Sequence, residues 1–396
     1  MMRILHTAHS YPPEVSGVSE VVGQISVRLA RRGHEVHVAT SRPRLTPQEE
    51  VLNGVYVHRF SLKGNAVTGI QGDIDAFLHF VQSESWDVLA MHCAQTWTTD
   101  ALLPYLDHIS AGKVFVGHGF STLNAVKYND YFTGLAESLR QVDKIVALSD
   151  LLEEVPFCTA HGLPKPQIIP NGVDLIEWGA PTLGLRETWG IGKRPWLLSV
   201  SNHSPVKGHA TFFEVVRRVR QQFPGVVGTI IGGHYPAAKC GLGRFGIKGG
   251  CWYRCRLAAG LTTGVTLRWD VLRRDVVSAV QEADIVLVTS WREASPLVIL
   301  ESMAAGTPWV SFDVGCVREH VGGVVVRSPQ EMVDTVVELL GDPNRRRRLG
   351  QDGQARVAEK HDWESVATQY EQLYETVQSG GNNANFGYRF FGSYRQ

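Results

Sequence analysis

The sequence predicts an α/β protein made of two doubly wound domains. Short apolar runs rich in β-branched residues alternate with helical patterns along the chain, and residues 3–8, 21–32 and 35–40 form the first β-loop-α-β unit. Glycines and polar residues follow the predicted strands, as expected at the edge of a parallel sheet where ligands bind. A length of 396 residues also suits two domains of about 200 residues each better than one.

The composition is that of an ordinary globular protein without a global charge. Lys and Arg together number 39, as do Asp and Glu, so no overall field attracts the chain to nucleic acid or to a membrane. The six cysteines are scattered and the N-terminal residues lack the apolar core of a signal peptide, which predicts a cytoplasmic protein with reduced thiols. No run reaches the roughly 18 apolar residues of a membrane span, and peripheral contact with the inner face of the membrane is left open.

The first loop and the strands after it supply the candidate residues of the first half. Residues 9–20 connect the first strand to the first helix, and Gly17 in this loop lets the backbone come close to a ligand. Residues 113–119 form a strand that ends in His118 and a glycine. A lone histidine is more often structural than catalytic, but the end of a sheet strand favours a functional role. Further strands are predicted at residues 55–60, 87–93 and 143–149.

Two groups of residues have the residue types of a metal site, and neither is predicted to bind a metal. Asp73 and Asp75 have the spacing of an Asp-x-Asp motif, but they follow a glycine and open a helix, where acidic residues commonly act as caps. Cys240, Cys251 and Cys255 offer three thiolates, whereas structural zinc sites use four ligands and usually closer pairs. No metal or other cofactor is therefore expected.

The stretch at residues 283–308 is the most informative part of the second half. An apolar run at residues 283–290 predicts a strand buried in a parallel sheet, so Glu293 lies in the loop just past its carboxyl end. The residues from Pro296 onward predict a buried helix that stops at Gly306. Ligands bind at this edge of an open α/β sheet, and a helix N-terminus offers free amides and a positive dipole to an anion.

Glu293 and Glu301 raise the question of a hydrolytic pair of carboxylates. On a single helix, a rise of about 1.5 Å per residue would place them roughly 12 Å apart along the axis, beyond the roughly 5 to 9.5 Å of glycosidase pairs. We therefore interpret them as two separate clamps for a ligand with two polyol portions, a sugar and a ribose, because carboxylates accept hydrogen bonds from hydroxyl groups. The alternative is a surface-loop glutamate and a helix-capping glutamate.

The spacing Glu-x7-Glu, followed by Met-Ala-x-Gly-Thr-Pro at residues 303–308, closely resembles the signature of retaining glycosyltransferases of the GT-B fold, the large GT4-like group. The loops occur in the family's order over roughly residues 3–377, which is stronger support than any single motif. The resemblance extends to residues 12–20, 31–38, 118–119, 167–174 and 309–319.

The resemblance implies a role for each matching residue. Glu293 would contact the donor sugar, Glu301 the nucleotide ribose and Lys207 the donor diphosphate. His118 would contact the sugar from the opposite domain, and amides around residues 295–298 would help to neutralise the leaving phosphate. The implied catalytic residues are Glu293, His118 and Lys207. The implied nucleotide-sugar-binding residues are Gly17, Asn202, Lys207, Ser295, Pro296, Leu297, Val298 and Glu301.

Two positions depart from the family's pattern, and one segment is unusual. Ser16 replaces the first of two usual glycines, which narrows how closely a phosphate or an acceptor can approach Gly17. Asn202 replaces an arginine that would bring a second charge to the diphosphate. The segment at residues 233–256 is rich in basic and aromatic residues. We hypothesise that it closes over the donor diphosphate or holds a phosphorylated or lipid-linked acceptor. The alternative is a solvated surface loop. The basic residues proposed for this role are Arg244, Lys248 and Arg254.

The resemblance implies the GT-B architecture, with two Rossmann-like doubly wound domains facing a cleft. Residues 1–174 are predicted to form the acceptor-side domain, and residues 175–361 the domain that binds the nucleotide-sugar. An amphipathic helix at residues 362–378 is expected to cross back onto the first domain, and residues 379–396 to form a flexible tail.

The implied activity is retaining, metal-independent transfer of a sugar from a nucleotide-sugar to a glycan, lipid-linked or small-molecule acceptor, in the synthesis of cell-surface polysaccharide or glycolipid. A nucleotide-sugar epimerase or a sugar phosphorylase of the same fold is one alternative. A noncatalytic nucleotide-sugar-binding protein is another, which the asparagine at position 202 makes less remote. A nicotinamide-dependent dehydrogenase is disfavoured, because the Gly-x-Gly-x-x-Gly match at residues 241–246 neither directly follows a predicted strand nor opens a helix.

Overall fold

The chain forms two compact units, each built on one large and mainly parallel sheet. The computed structural model describes residues 1–120, 122–233 and 250–385. The first unit comprises Met1–Asn171 together with the chain from Trp363 onward, and the second comprises Gly172–Asp362. Among the described residues, no helix has both the length and the apolar character needed to cross a membrane.

The sheet of the first unit has eight strands in the order β10-β9-β8-β7-β1-β2-β4-β3. Its strand pairs are parallel except for the antiparallel pair of β3 and β4, and β5 pairs with β6 in a separate hairpin. The strands are β1 Arg3–Thr7, β2 Glu35–Ser41, β3 Glu49–Leu52, β4 Val55–Phe60, β5 Lys63–Asn65, β6 Gly69–Gln71, β7 Val88–His92, β8 Gly112–Val116, β9 Lys144–Ala147 and β10 Gln167–Ile168. The α-helices are α1 Gly17–Arg31, α2 Ile74–Ser83, α3 Trp97–Asp100, α4 Asn129–Leu139 and α5 Glu154–Ala160.

The sheet of the second unit has six parallel strands in the order β13-β12-β11-β14-β15-β16. The strands are β11 Trp196–Val200, β12 Val227–Ile231, β13 Val265–Arg268, β14 Ile285–Val288, β15 Trp309–Phe312 and β16 Gly323–Val326. The α-helices are α6 Leu175–Trp178, α7 Leu185–Thr188, α8 His209–Val219, α9 Gly250–Leu261, α10 Arg273–Glu282, α11 Leu297–Ala305, α12 Pro329–Gly341 and α13 Pro343–Lys360.

Both faces of the second sheet are buried, as the apolar strands require. Leu197 packs into a cluster with Phe212 of α8 and Met332 of α12, whereas Leu198 packs into a cluster with Ile299 of α11. Successive side chains of a strand point to opposite faces, so consecutive leucines in β11 serve the two cores. This arrangement confirms a doubly wound domain with helices on both sides of the sheet.

Helix α14, Trp363–Asn385, belongs to the first unit, where it packs against α1 and β8. Its apolar side includes the buried Tyr370 and Tyr374, and an ion pair joins Arg32 at the end of α1 to Glu371 at 2.7 Å. The helix continues through residues 379–385, which the sequence analysis assigns to a flexible tail. The rest of that predicted tail lies outside the described residues.

Local sequence signals explain where several elements begin. Helix α1 starts at Gly17, earlier than the predicted residue 21, because the Ser16 hydroxyl accepts a hydrogen bond from Ser19 N–H and caps the helix. Asp73 caps α2 by accepting from Ala76 N–H at 3.0 Å, which confirms its expected capping role.

Candidate active site

The sheet of the second unit reverses its strand order between β11 and β14, and two predicted site residues follow these strands. Such a reversal opens a crevice at the carboxyl ends of the strands, where ligands of open α/β sheets bind. Lys207 lies in the loop after β11, and Glu293 lies in the loop after β14. Lys207 Nζ is 2.6 Å from Glu293 Oε1, and both side chains are largely buried. The fold thus pairs an ammonium and a carboxylate that are 86 positions apart in the sequence.

Close contacts between the two loops fix this pair. The Thr289 hydroxyl donates to the Lys207 carbonyl oxygen at 3.0 Å, and Trp291 N–H donates to the Val206 carbonyl oxygen at 2.8 Å. Gly208 has a φ of +63°, and a Cβ at this position would lie 1.9 Å from the carbonyl oxygen of Thr289. Glycine is required here because the backbone is left-handed and because the two loops touch.

The loop that carries Glu293 is also held from the side of β15. The Ala294 carbonyl oxygen accepts from Cys316 N–H at 2.9 Å. Gly315, with a φ of +53°, approaches so closely that a Cβ there would lie 2.0 Å from the same carbonyl oxygen. Burial raises the pKa of the Cys316 thiol to about 11, although a hydrogen bond with the Ser295 side chain acts to lower this pKa. Contacts from two directions therefore position the backbone around Glu293.

Helix α11 begins directly after this loop. Pro296 is its N-cap residue, with a φ of −71°, and Leu297 and Val298 lie in its first turn. The first four N–H groups of a helix have no partner within the helix, and its N-terminal end carries a partial positive charge. The predicted binding residues from Ser295 to Val298 thus occupy a place suited to an anionic group.

Glu301 lies in the middle of α11 and is only 8% exposed, so it is not a helix cap. Its Oε1 accepts from Arg273 Nη1 at 2.7 Å. The same guanidinium donates to both carboxylate oxygens of Glu177, at 2.9 and 2.7 Å, and lies 5.1 Å from the ring centroid of Trp178. Arg273 therefore orients the carboxylate that is predicted to hold the ribose.

Sequence reasoning did not identify Arg273 or Glu177. Arg273 is the first residue of α10, where the positive end of the helix dipole disfavours a cation. An arginine in this place indicates a nearby carboxylate, and that signal was available in the sequence. Its partners are 96 and 28 positions away, so the sequence did not indicate which carboxylates they are.

Asn202, which stands in place of the family's arginine, connects two strand-end loops. Its Oδ1 accepts from Gly233 N–H at 3.2 Å, so the side chain ties the loop after β11 to the end of β12. This hydrogen bond gives Asn202 a structural role in the protein without ligand. Its contact with a donor diphosphate stays a prediction.

In the first unit, strained backbone surrounds His118. The sheet reverses its order between β1 and β7, and β8 lies beside β7. His118, after the end of β8, has a φ of +58°, and Cys93 and Gln95, after β7, have φ of +69° and +60°. Non-glycine residues in this region cost about 1–3 kcal/mol each and cluster at functional sites. The predicted strand at residues 113–119 thus ends early, at Val116, where the chain turns to place the imidazole.

His118 is half-buried and is the first of a series of three imidazoles, of which His92 and His6 are buried. Its Nε2 lies 2.9 Å from Nδ1 of His92, whose ring packs edge-on against His6 with centroids 5.3 Å apart. His6 Nε2 lies 3.1 Å from the Tyr374 hydroxyl of α14. Burial lowers the pKa of all three histidines, that of His6 to about 3, so the rings are neutral at neutral pH. A neutral His118 can exchange hydrogen bonds with a sugar hydroxyl.

Glu154 lies beneath the same strand end and was not found from the sequence. Its Oε1 accepts from Gly119 N–H, and a Cβ at Gly117 would lie 2.2 Å from that oxygen. Burial raises the pKa of Glu154 to about 7. In the sequence this residue resembles an ordinary acidic residue at a helix start, so no local pattern marks it.

The remaining predicted residues have different positions. A Cβ at Gly17 would meet no described atom within 4 Å, and Ser16 Oγ lies 2.6 Å from Ser10 Oγ. Arg254 is exposed on α9. Arg244 and Lys248 lie outside the described residues. The roles assigned to these residues toward donor or acceptor stay predictions.

Two protein-family models match the chain, one in each unit. The model described as "Glycosyltransferase Family 4" matches residues 15–177, and the model described as "Glycosyl transferases group 1" matches residues 194–342. A similar curated protein is D-inositol 3-phosphate glycosyltransferase of Segniliparus rotundus, 26% identical over 95% of this chain and 89% of the relative.

Solved structures confirm the fold. Sucrose-phosphate synthase of Thermosynechococcus elongatus aligns with a TM-score of 0.79 and 19% identity, over 96% of this chain and all 100% of the other. Anabaena HepE in complex with UDP-glucose aligns with a TM-score of 0.71 and 17% identity, over 95% and 100% of the two chains. At such identities the likeness establishes the fold class, which is the GT-B class expected from the sequence.

Proposed function

The chain belongs to the family 4 glycosyltransferases, and from this premise we propose that it is a retaining, metal-independent enzyme that uses a nucleotide-sugar donor. The proposed acceptor is a glycan, a lipid-linked sugar or a small molecule, as in the synthesis of cell-surface polysaccharide or glycolipid. The complex of HepE with UDP-glucose makes UDP-glucose the first donor to test. The name of the Segniliparus relative makes a phosphorylated polyol the first small acceptor to test.

The ion pair of Lys207 and Glu293 is the observation that carries this proposal. A lysine ammonium has three N–H donors, so Lys207 can keep its contact with Glu293 and still donate to oxygens of a diphosphate. Glu293 then remains able to accept hydrogen bonds from sugar hydroxyls with its second oxygen. One pair of side chains would thus orient both sides of the bond that breaks.

In the proposed reaction, the bond between the anomeric carbon and the diphosphate oxygen breaks. The acceptor hydroxyl oxygen bonds to the same carbon on the same face, and its proton passes to the departing diphosphate. Negative charge grows on the leaving group, and Lys207 with the first-turn amides of α11 stabilises it. These groups supply the positive field that a divalent metal provides in other phosphate sites. The role proposed for neutral His118 is to orient the sugar.

Glu301 would accept hydrogen bonds from the ribose hydroxyls. Its Oε1 accepts from Arg273 Nη1 at 2.7 Å, and the two oxygens of a carboxylate can accept several hydrogen bonds between them. This arrangement supports a fixed orientation of the donor, because the guanidinium is itself held by Glu177.

The experiment is a transfer assay with UDP-, GDP- and ADP-sugars, measuring nucleotide release and product by chromatography, with and without added Mg²⁺ or Mn²⁺. We expect turnover with one nucleotide class and no dependence of the rate on the added metals. The anomeric configuration of the linkage in the product should be the same as that of the donor. Glu301→Ala should weaken donor binding in a thermal-shift assay, since a ligand of the folded state raises its melting temperature.

The matched control is Glu338→Gln, which removes an exposed carboxylate on α12 and should leave turnover unchanged. An inverted linkage would overturn the retaining mechanism. Phosphate-dependent release of a sugar phosphate would instead identify a phosphorylase, and donor binding without turnover in any acceptor panel would identify a noncatalytic binding protein.

A further inference from the structure

We propose that His203, His209 and Cys255 form a buried site for a zinc-class transition metal ion, in the second unit and distinct from the residues assigned to the donor. His203 lies in the loop after β11, His209 is the first residue of α8, and Cys255 lies on α9. The three side chains are 3%, 2% and 3% exposed. In the sequence Cys255 stands near other cysteines, whereas the fold brings it to two histidines.

The geometry suits a tetrahedral ion. One ligand atom from each residue lies within 4.8 Å of the other two, and Cys255 Sγ is 3.4 Å from His209 Nδ1. With Zn–N near 2.0 Å and Zn–S near 2.3 Å, the edge between a nitrogen and a sulfur ligand of a tetrahedral site is about 3.5 Å. The two imidazoles are nearly perpendicular, with ring centroids 4.7 Å apart, so both rings can direct a nitrogen to one point.

His203 gives independent evidence for a ligand. Both of its ring nitrogens are buried without a hydrogen-bond partner in the described chain. A buried polar group without a partner costs about 1–3 kcal/mol, and buried polar groups in native proteins are nearly always satisfied. A metal bound by one nitrogen removes this cost for that atom. The contacts of His203 include the hydrogen bond from its backbone N–H to the Gly233 carbonyl oxygen at 3.2 Å and the packing of its ring against His209.

The second nitrogen of His209 is already oriented. Its Nε2 lies 2.8 Å from the Ser201 hydroxyl, and the tautomer that donates to this oxygen leaves the Nδ1 lone pair facing Cys255. Metal-binding histidines usually donate their other N–H to an oxygen acceptor in this way. On metal binding the Cys255 thiol would release its proton to solvent, because the thiolate is the ligand.

The ligand set selects a class of ion. Imidazole and thiolate suit Zn²⁺ and exclude Mg²⁺ and Ca²⁺, which prefer oxygen ligands. The three ligands found among the described residues leave one further position of a tetrahedral ion. The site would tie the start of α8, next to Lys207 and Gly208, to α9, so its role is structural and compatible with transfer that needs no metal at the sugar.

The test uses tag-free, full-length protein, stripped with a chelator under reducing and anaerobic conditions and then titrated with Co²⁺ and Zn²⁺. We expect close to one Co²⁺ per chain, with a thiolate-to-cobalt charge-transfer band and the intense visible bands of a tetrahedral ion. Cys255→Ser should lose the charge-transfer band. Cys158→Ser, which alters a buried cysteine of the other unit, should keep it.

His203→Leu provides a variant that is expected to fold, because it removes an imidazole whose nitrogens have no hydrogen-bond partner among the described residues. Its metal-free melting temperature should equal or exceed that of the metal-free wild type, but Zn²⁺ should no longer raise it. Loss of an outer-shell partner weakens metal binding about 10–100-fold, so Ser201→Ala should show a loss of that size and His203→Leu a larger one. No stoichiometric Co²⁺, a charge-transfer band that persists in Cys255→Ser, or unchanged affinity in His203→Leu would each overturn the proposal.

Discussion

Replacing Glu154 with glutamine should change how the stability of the first unit depends on pH. Glu154 is fully buried, its Oε1 accepts from Gly119 N–H, and its Oε2 has no partner in the described chain. Burial raises the pKa of this carboxyl from 4.5 to about 7. At a pH between 4.5 and about 7, the carboxyl of the folded protein therefore keeps a proton that the unfolded chain has already released.

The sign and size of the effect follow from this difference. Where the folded state binds more protons than the unfolded state, the free energy of unfolding falls as pH rises. The fall runs from pH 4.5 to about 7 and then stops. A pKa difference of one unit is worth about 1.4 kcal/mol. Above about pH 7, the ionised carboxylate therefore lowers the free energy of unfolding of the wild type by about 3 kcal/mol. Glu154→Gln lacks the ionisation, so it should escape this loss while keeping an oxygen acceptor for Gly119 N–H.

The assay is urea unfolding of wild type and variant at about pH 5 and at about pH 8. Between these two pH values, the free energy of unfolding of the variant should rise relative to that of the wild type by about 2–3 kcal/mol. Titration of the histidines is common to both proteins and cancels in the difference. Glu137→Gln, which alters an exposed glutamate of α4 in the same unit, should show the wild-type pH dependence. A Glu154→Gln difference that is constant over this range would refute a raised pKa at this position.

Three further predictions follow from the contacts described above. Lys207→Met should weaken binding of UDP-glucose in calorimetry, because it removes the positive charge that would face the diphosphate. Glu293→Gln should keep binding and lose turnover. Equal losses of binding in the two variants would contradict these separate roles. Gly208→Ala should destabilise the second unit by more than about 3 kcal/mol in urea unfolding, because its Cβ would overlap a carbonyl oxygen. Tyr374→Phe should cost about 1 kcal/mol through the lost hydrogen bond to His6, and an unchanged unfolding midpoint would show that this bond contributes nothing.

The sequence predicted elements whose pattern is local and strong. Strand β4 has the predicted bounds, Val55–Phe60, and buried residues alternate along it with more exposed ones. Strand β3 was missed, since Glu49–Leu52 begins with two glutamates and alternates between exposed and half-buried positions at the sheet edge. An edge strand buries few apolar side chains, so its sequence differs little from that of a loop.

The candidate site was predictable where sheet topology determines it. Neighbouring parallel strands bring the loops at their carboxyl ends together, so a prediction that β11 and β14 flank the reversal of strand order already places Lys207 near Glu293. Topology does not determine which side chains meet below the strand ends. Arg273 at the start of α10 contacts Glu301 of α11, and Glu154 of α5 accepts from Gly119 N–H after the end of β8.

Those contacts share one physical feature, a charged or polar group in a place that its sequence neighbours do not explain. Arg273 at a helix N-terminus opposes the helix dipole, and the two ring nitrogens of His203 have no hydrogen-bond partner in the part of the chain that the structure describes. Each such group costs free energy unless something distant compensates it. For Arg273 the fold supplies two carboxylates, so the cost is met within the chain. For His203 the described chain supplies no partner, and the nearest groups are another imidazole and a thiol, which is the reason to seek its partner in a metal ion.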